Sequence, residues 1–256
     1  MANVQPIRSP QGETEASARV NLAALYRLAD HYGWSDLIYN HISARVPGEA
    51  AFLVKAHAVM FDEVTASNLM KVKLDGSNMD AKGFVGDRRI NRAGFTIHSG
   101  VYKARPDANC VLHTHTPAGA GVSLIRNGLR PISQDALSVW DELAYHEYGV
   151  PASVEECEAL AVACGKGSCV VLHNHGLLTF GDTVQGAFMR MYTLQRACEL
   201  EVIARQMGEE PVAISNFVIG KAAERMKKRR ATPEYGLNEF RGLARQAERK
   251  GFNWKR

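Results

Sequence analysis

The chain has 256 residues, 46% apolar and 23% charged, an ordinary globular composition with enough apolar material for a sizeable core. No run reaches the ~18 apolar residues of a membrane span, and the opening MANVQPIRSPQGETE is polar, without a signal-peptide apolar segment. The expectation is a cytoplasmic protein, and the net charge of only +4 gives no reason to expect a nucleic acid or membrane partner.

In chain order, residues 1–14 read as a flexible terminus. Ala18, Leu22, Leu25, Leu28 and Ala29 fall on one helical face across 14–34, which Gly33 ends. HISARV (41–46), AFLVK (51–55) and LMKVKLDG (69–76) read as strands, the last closing on an Asp-Gly turn. A helix is predicted over 94–104, stopping near Arg105-Pro106. Residues 109–115 form a strand, and Pro117 opens the next helix. Ser153 with Glu156 three residues on predicts a capping box for a helix over 153–165. CVVLHNH (169–175) and LLTF (177–180) are apolar and strand-like, and Asp182 is the predicted cap of a long helix running to about Met207. Helices near 217–230 and 234–250 are separated by Ala231-Thr232-Pro233. Residues 221–256 carry twelve basic and four acidic side chains, net +8, leaving nineteen basic and twenty-three acidic, net −4, in the first 220. No aromatic-interleaved motif accompanies the basic tail, which reads as a solvated helical face or subunit contact. Five cysteines, odd in number and without a CxxC, read as free thiols. The organisation is one mixed α/β domain over 15–210 with a helical extension over 211–256.

Nine histidines are unevenly distributed: His113 and His115 form one HxH, His173 and His175 another. On a strand, residues i and i+2 point to the same side, so two imidazoles can grip one cation. A third from a neighbouring strand leaves coordination positions open, the pattern of a catalytic rather than structural metal. Without metal, each buried pair needs partners for four ring nitrogens, a costly arrangement.

RPDANCVLHTHTPAGAGVSL followed by VVLHNHGLLTFGDTVQGAF, with YNHISARVPGE, FDEVTASNLMKVKLDG, AGFTIHSGVYKARPDA and RPISQDAL, resembles the class II aldolase/adducin family, and its adducin-like branch in particular. The resemblance implies a three-layer α/β/α domain with a mainly antiparallel central sheet, and a homotetramer with its site near a subunit interface. It also implies one divalent metal per chain, held by His113, His115 and His175; zinc is expected first, with manganese, iron or cobalt as alternatives. His173 matches no ligand of the family and reads as structural. Sugar-phosphate aldolases of the family carry an acid/base Glu four residues before the position of His98, where this chain has Gly94. The family's phosphate-cradling residues are replaced by Asn40-His41 and His57-Ala58, with Lys55 nearby. A dianionic phosphate favours backbone N–H groups and small residues. The expectation is therefore a non-phosphorylated hydroxy- or oxo-carboxylate, aromatic acids included, with His41, Lys55 and His57 binding its anionic group.

Loss of the Glu weakens reactions that begin with proton removal. Decarboxylation needs only an electron sink, so the expected activity is a metal-dependent carbon–carbon lyase, decarboxylase or aldolase. Two other readings accompany it: a non-haem iron oxygenase on the same three-histidine site, and a non-catalytic adducin-like interaction module. His98 reads as a supporting or core residue. Asp135 and Glu142 read as capping or solvated, Tyr145 and Tyr148 as packing, and Trp34, Trp140 and Trp254 as too scattered for an aromatic platform.

Overall fold

In the computed structural model, which describes residues 12–149 and 153–256, the chain runs α1 (Glu15–His31), β1 (His41–Arg45), β2 (Ala51–Val54), β3 (Met70–Lys73), β4 (Phe84–Val85), β5 (Arg88–Arg89), α2 (Arg92–Ala104), β6 (Cys110–Thr114), α3 (Pro117–Ser123), α4 (Gln134–Val139), β7 (Leu143–His146), α5 (Val154–Lys166), β8 (Cys169–Leu172), β9 (Gly176–Gly181), α6 (Val184–Met207), α7 (Asn216–Arg230) and α8 (Leu237–Arg249). A seven-stranded sheet has the order β3-β2-β1-β6-β9-β8-β7, and β4 pairs with β5 as a separate hairpin. All of its neighbours are antiparallel except β7 and β8.

Strands buried throughout, such as β1, β6 and β9, need a cover on both faces. Alternation supplies two apolar sets. Ile42, Cys110, Leu112 and Leu177 face a core with Leu22 and Leu25 of α1, Phe188 and Leu194 of α6, and Phe240 of α8. Val111, Val170 and Leu178 face the other core, with Ile97 and Val101 of α2 and Leu160 and Ala163 of α5. The result is the expected three-layer α/β/α arrangement with a mainly antiparallel sheet. The C-terminal residues fold back on the segment before β3: Ala66 and Ser67 donate their N–H groups to the carbonyls of Trp254 (2.8 Å) and Arg256 (3.0 Å).

Several expected boundaries move, each for a local reason. The strand predicted over 169–175 ends at Leu172, and 173–175 form a tight turn in which Asn174 takes φ 57°; asparagine is among the few non-glycine residues that tolerate that region. The cap of α6 is Thr183, whose side chain accepts from the Gly186 N–H, not Asp182. Ser153 caps α5 as expected, but Glu156 does not complete a capping box; its carboxylate meets His146 instead, at 2.9 Å. Residues 1–11, most of the predicted flexible terminus, lie outside the described residues. Of the rest, Thr14 forms a capping box with Ser17 at the start of α1.

Candidate functional site

β1 and β6 lie side by side with His41 opposite His113 and Ser43 opposite Val111. Alternation therefore sends His41, Ser43 and His113 to the face covered by α2, while Thr114 turns to Met191 of α6. His115, one residue beyond β6, shares the side of His113, and the β8–β9 turn brings in His175. The Nε2 atoms of the three rings converge: His115 to His113 is 2.7 Å and His115 to His175 is 3.0 Å. Among the described residues, only these three form a group of metal-ligating side chains with all donor atoms within 4.8 Å of one another.

Hydrogen bonds fix which nitrogen each ring offers. His113 donates Nδ1–H to the Leu177 carbonyl at 2.9 Å, and His115 donates Nδ1–H to Asp36 Oδ2 at 2.9 Å. Their Nε2 lone pairs are thereby left for a cation, the tethering usual for ligating imidazoles. The His175 backbone N–H is held by the Leu172 carbonyl and Ser123 Oγ. Burial and the surrounding imidazoles hold His113 well below the ordinary histidine range, and His175 is pushed down to about 4 by burial and then by His115. Three imidazoles meeting through Nε2 in a partly buried place suit a divalent metal of the zinc type and leave positions open.

His173 takes no part in the trio. Its Nδ1–H goes to the Ser123 carbonyl (3.0 Å) and its ring stacks on Tyr145 at 5.3 Å between centroids. Tyr145 packs as expected, whereas Tyr148 is 58% exposed with its ring 6.4 Å from that of His175. Asp135 and Glu142 lie away from the trio: Asp135 approaches Arg196, and Glu142 binds Arg190 and Arg230.

His41, Lys55 and His57 line one narrow cavity with Asn40 and Gly94. Its volume is about 10 Å³, the room of roughly one water. Lys55 Nζ donates to the Ile38 carbonyl at 3.0 Å, and burial lowers its pKa to about 8. His57 Nδ1 and Asn40 Oδ1 are buried there without hydrogen-bond partners among the described residues. His98 is fully buried and joined to His41, its Nε2 2.8 Å from His41 Nδ1. Asp36 and the His146–Glu156 pair were invisible to sequence reasoning, because partners far apart in the chain leave no spacing signal.

The sheet order, the two helical layers and the histidine trio together define a class II aldolase-type domain. The chain belongs to the Class II Aldolase and Adducin N-terminal domain family, whose sequence profile matches residues 20–202. It is 48% identical to α-adducin of Mus musculus over 191 residues, 73% of this chain but 26% of adducin, so it spans about a quarter of that relative. The crystal structure of an aldolase II superfamily protein from Pseudomonas syringae is similar with TM-score 0.88 and 41% identity, over 97% of this chain and 98% of that one. L-fuculose 1-phosphate aldolase from Glaciozyma antarctica PI12 shares the fold with TM-score 0.79 at 23% identity, over 96% of this chain and 97% of that one.

Proposed function

We propose that this chain is a divalent-metal-dependent carbon–carbon lyase, a decarboxylase or aldolase, acting on a non-phosphorylated hydroxy- or oxo-carboxylate, aromatic acids included. The observation that carries the reading is the convergence of the His113, His115 and His175 Nε2 atoms with two of the rings tethered through Nδ1. A divalent cation held there, zinc first, supplies a Lewis-acid sink for the electron pair released when a carbon–carbon bond breaks.

The chain's own residues select among substrates. His41, Lys55 and His57 orient the anionic group, using the spare donors of Lys55 and the unpartnered His57 Nδ1. A cavity of about 10 Å³ favours one oxygen of a carboxylate over a phosphate. Gly94 offers no acid or base, which favours cleavage that needs no prior proton removal. The reading includes a homotetramer with its site near a subunit interface, where Tyr148 stands exposed beside His175. A cytoplasmic location accords with five free cysteines.

Metal content measured by plasma mass spectrometry on untagged protein tests the reading, with a His113→Ala/His115→Ala variant as control. The expected result is about one zinc or manganese per wild-type chain, lost in the variant. Iron with oxygen consumption would move the assignment to an oxygenase. A chain that stays empty after incubation with these metals would favour a non-catalytic module, the reading that the 48% identity to α-adducin supports. Once a substrate is identified, unchanged turnover in Lys55→Ala and His57→Ala would remove those residues from the anion site.

A further inference from the structure

Four buried polar groups form a chain leading to the metal trio. Tyr102 Oη lies 2.8 Å from Ser43 Oγ, Ser43 Oγ lies 2.5 Å from His98 Nδ1, and His98 Nε2 lies 2.8 Å from His41 Nδ1. Tyr102 and His98 come from α2, and Ser43 and His41 from β1.

Proton accounting gives the chain a direction. The Tyr102 hydroxyl is buried, and Ser43 is its only hydrogen-bond partner among the described residues. A buried phenol proton needs an acceptor, so Tyr102 donates to Ser43. The Ser43 proton then goes to His98 Nδ1. Burial keeps His98 neutral, with a pKa near 3, so its single proton sits on Nε2 and is donated to His41 Nδ1. His41 Nδ1 is therefore the lone-pair nitrogen, and the ring's proton is on Nε2. The opposite direction would strand the phenol proton.

The free edge of that ring stands in a defined place. A Cβ built on Gly94 would lie 2.6 Å from His41 Cδ2 and 2.8 Å from His41 Nε2. The imidazole thus fills the room that a side chain at position 94 would take, and its ring centre is 5.2 Å from that of His113. Neither the helix nor the strand leaves space for both groups.

We propose that His41 Nε2–H is a fixed hydrogen-bond donor to the anionic oxygen of the substrate, and that Tyr102, Ser43 and His98 are positioning residues that hold this tautomer. A preorganised donor stabilises charge developing on a carbonyl oxygen without reorganising, and a neutral imidazole can serve in that way. The tautomer also denies His41 the role of base, because its one lone pair is turned away toward His98. The class of substrate that follows is an acid whose carbon–carbon bond breaks without prior deprotonation and leaves negative charge on an adjacent oxygen, as a β-oxo acid does on losing carbon dioxide. Only the identity of that oxygen rests on the lyase reading; the tautomer does not.

Long-range proton–nitrogen correlation spectra of the ¹⁵N-labelled chain, metal-free and zinc-loaded, read the tautomer directly, with His41 assigned by its loss in His41→Gln. The expected pattern is a protonated Nε2 and bare Nδ1 in both states, and Tyr102→Phe should abolish the single-tautomer pattern of His41. A proton on Nδ1 in the wild type, or a His41 signal indifferent to Tyr102→Phe, would overturn the proposal whatever the trio binds. As a second readout, oxalate binding to the zinc-loaded protein should weaken about tenfold, or about 1.4 kcal/mol, in His41→Leu. It should stay within about threefold in His41→Gln, whose amide keeps a donor. Equal losses in the two variants would remove the donor role, while zinc failing to bind at all would count against the lyase reading and leave the tautomer to the spectra.

Discussion

Asp36 touches no candidate substrate position, yet its carboxylate accepts the Nδ1–H of His115 at 2.9 Å and so decides which nitrogen that ring offers. Outer partners of this kind typically contribute about 10–100-fold to metal affinity. Asp36→Asn is expected to weaken zinc binding by about that range, measured by competition with a coloured chelator. The Asp36 side chain is 42% exposed, so thermal stability of the metal-free chain should change little; a large stability loss would show that Asp36 serves the fold instead. Gly94 gives a second test at this scale. Gly94→Ala drives a methyl into the His41 ring, and overpacking typically costs about 1–3 kcal/mol. In a His41→Ala background the same substitution should cost much less, because the space has been vacated. A double-mutant cycle by urea unfolding checks the coupling; additive effects would mean that the two positions do not share one space.

At the scale of elements, the β8–β9 turn shows both how much was legible and where legibility stopped. Strand alternation placed His113 and His115 on one side correctly, because β6 runs straight through His113 and the chain keeps its direction to His115. The same rule fails for His173 and His175, since Asn174 turns the chain and separates the rings. Long helices such as α1, marked by its apolar face, and α6, marked by its length, are legible to within a few residues. The six-residue α4 and four-residue β7 are too short to show a period, and went unread. Glu156 has the spacing of half a capping box, but a hydrogen-bond partner ten residues away, His146, takes its carboxylate. The His41–His98 and His115–Asp36 contacts join residues 57 and 79 positions apart, and composition and spacing carry no trace of either. Gly176 ties the turn to the site. A Cβ there would sit 2.3 Å from the Thr114 carbonyl oxygen, with no flexible atom able to yield. Gly176→Ala is expected to push β9 from β6, loosen the His113–Leu177 tether, cost at least about 2 kcal/mol and lower zinc affinity. A variant of wild-type stability and affinity would show that the strands have room to spare.

For the whole molecule, the site is a concentration of neutral imidazoles inside the fold, and this makes stability depend on pH in a definite window. Burial is the largest cause holding His41, His98 and His113 below the ordinary histidine value of 6.5, His98 down to about 3. A depressed folded-state pKa stabilises the fold fully above the unfolded value and loses that contribution as pH falls toward the folded value. Unfolded chains take up these protons near pH 6.5 while the folded chain refuses them. Each ring therefore removes about 1.4 kcal/mol per pH unit once the unfolded side is protonated. Carboxylates such as Glu15 and Asp107 are lowered by their Lys and Arg partners, so their losses begin only below about pH 4.5. The interval from pH 6.5 to 5 thus isolates the imidazoles, and these three buried rings alone should approach about 4 kcal/mol per unit at its acid end, with His175, pushed down to about 4, adding to the fall. Bound metal raises stability across this window, because a ligand that binds only the folded chain draws the equilibrium toward it. Urea midpoints of the metal-free chain at pH 7.5, 6.5, 5.5 and 5 should fall progressively, and those of the zinc-loaded chain should lie higher throughout. A flat profile in the metal-free chain would mean that these rings take up protons in the folded state as readily as in the unfolded one, and the buried neutral network from Tyr102 to His113 would have to be abandoned.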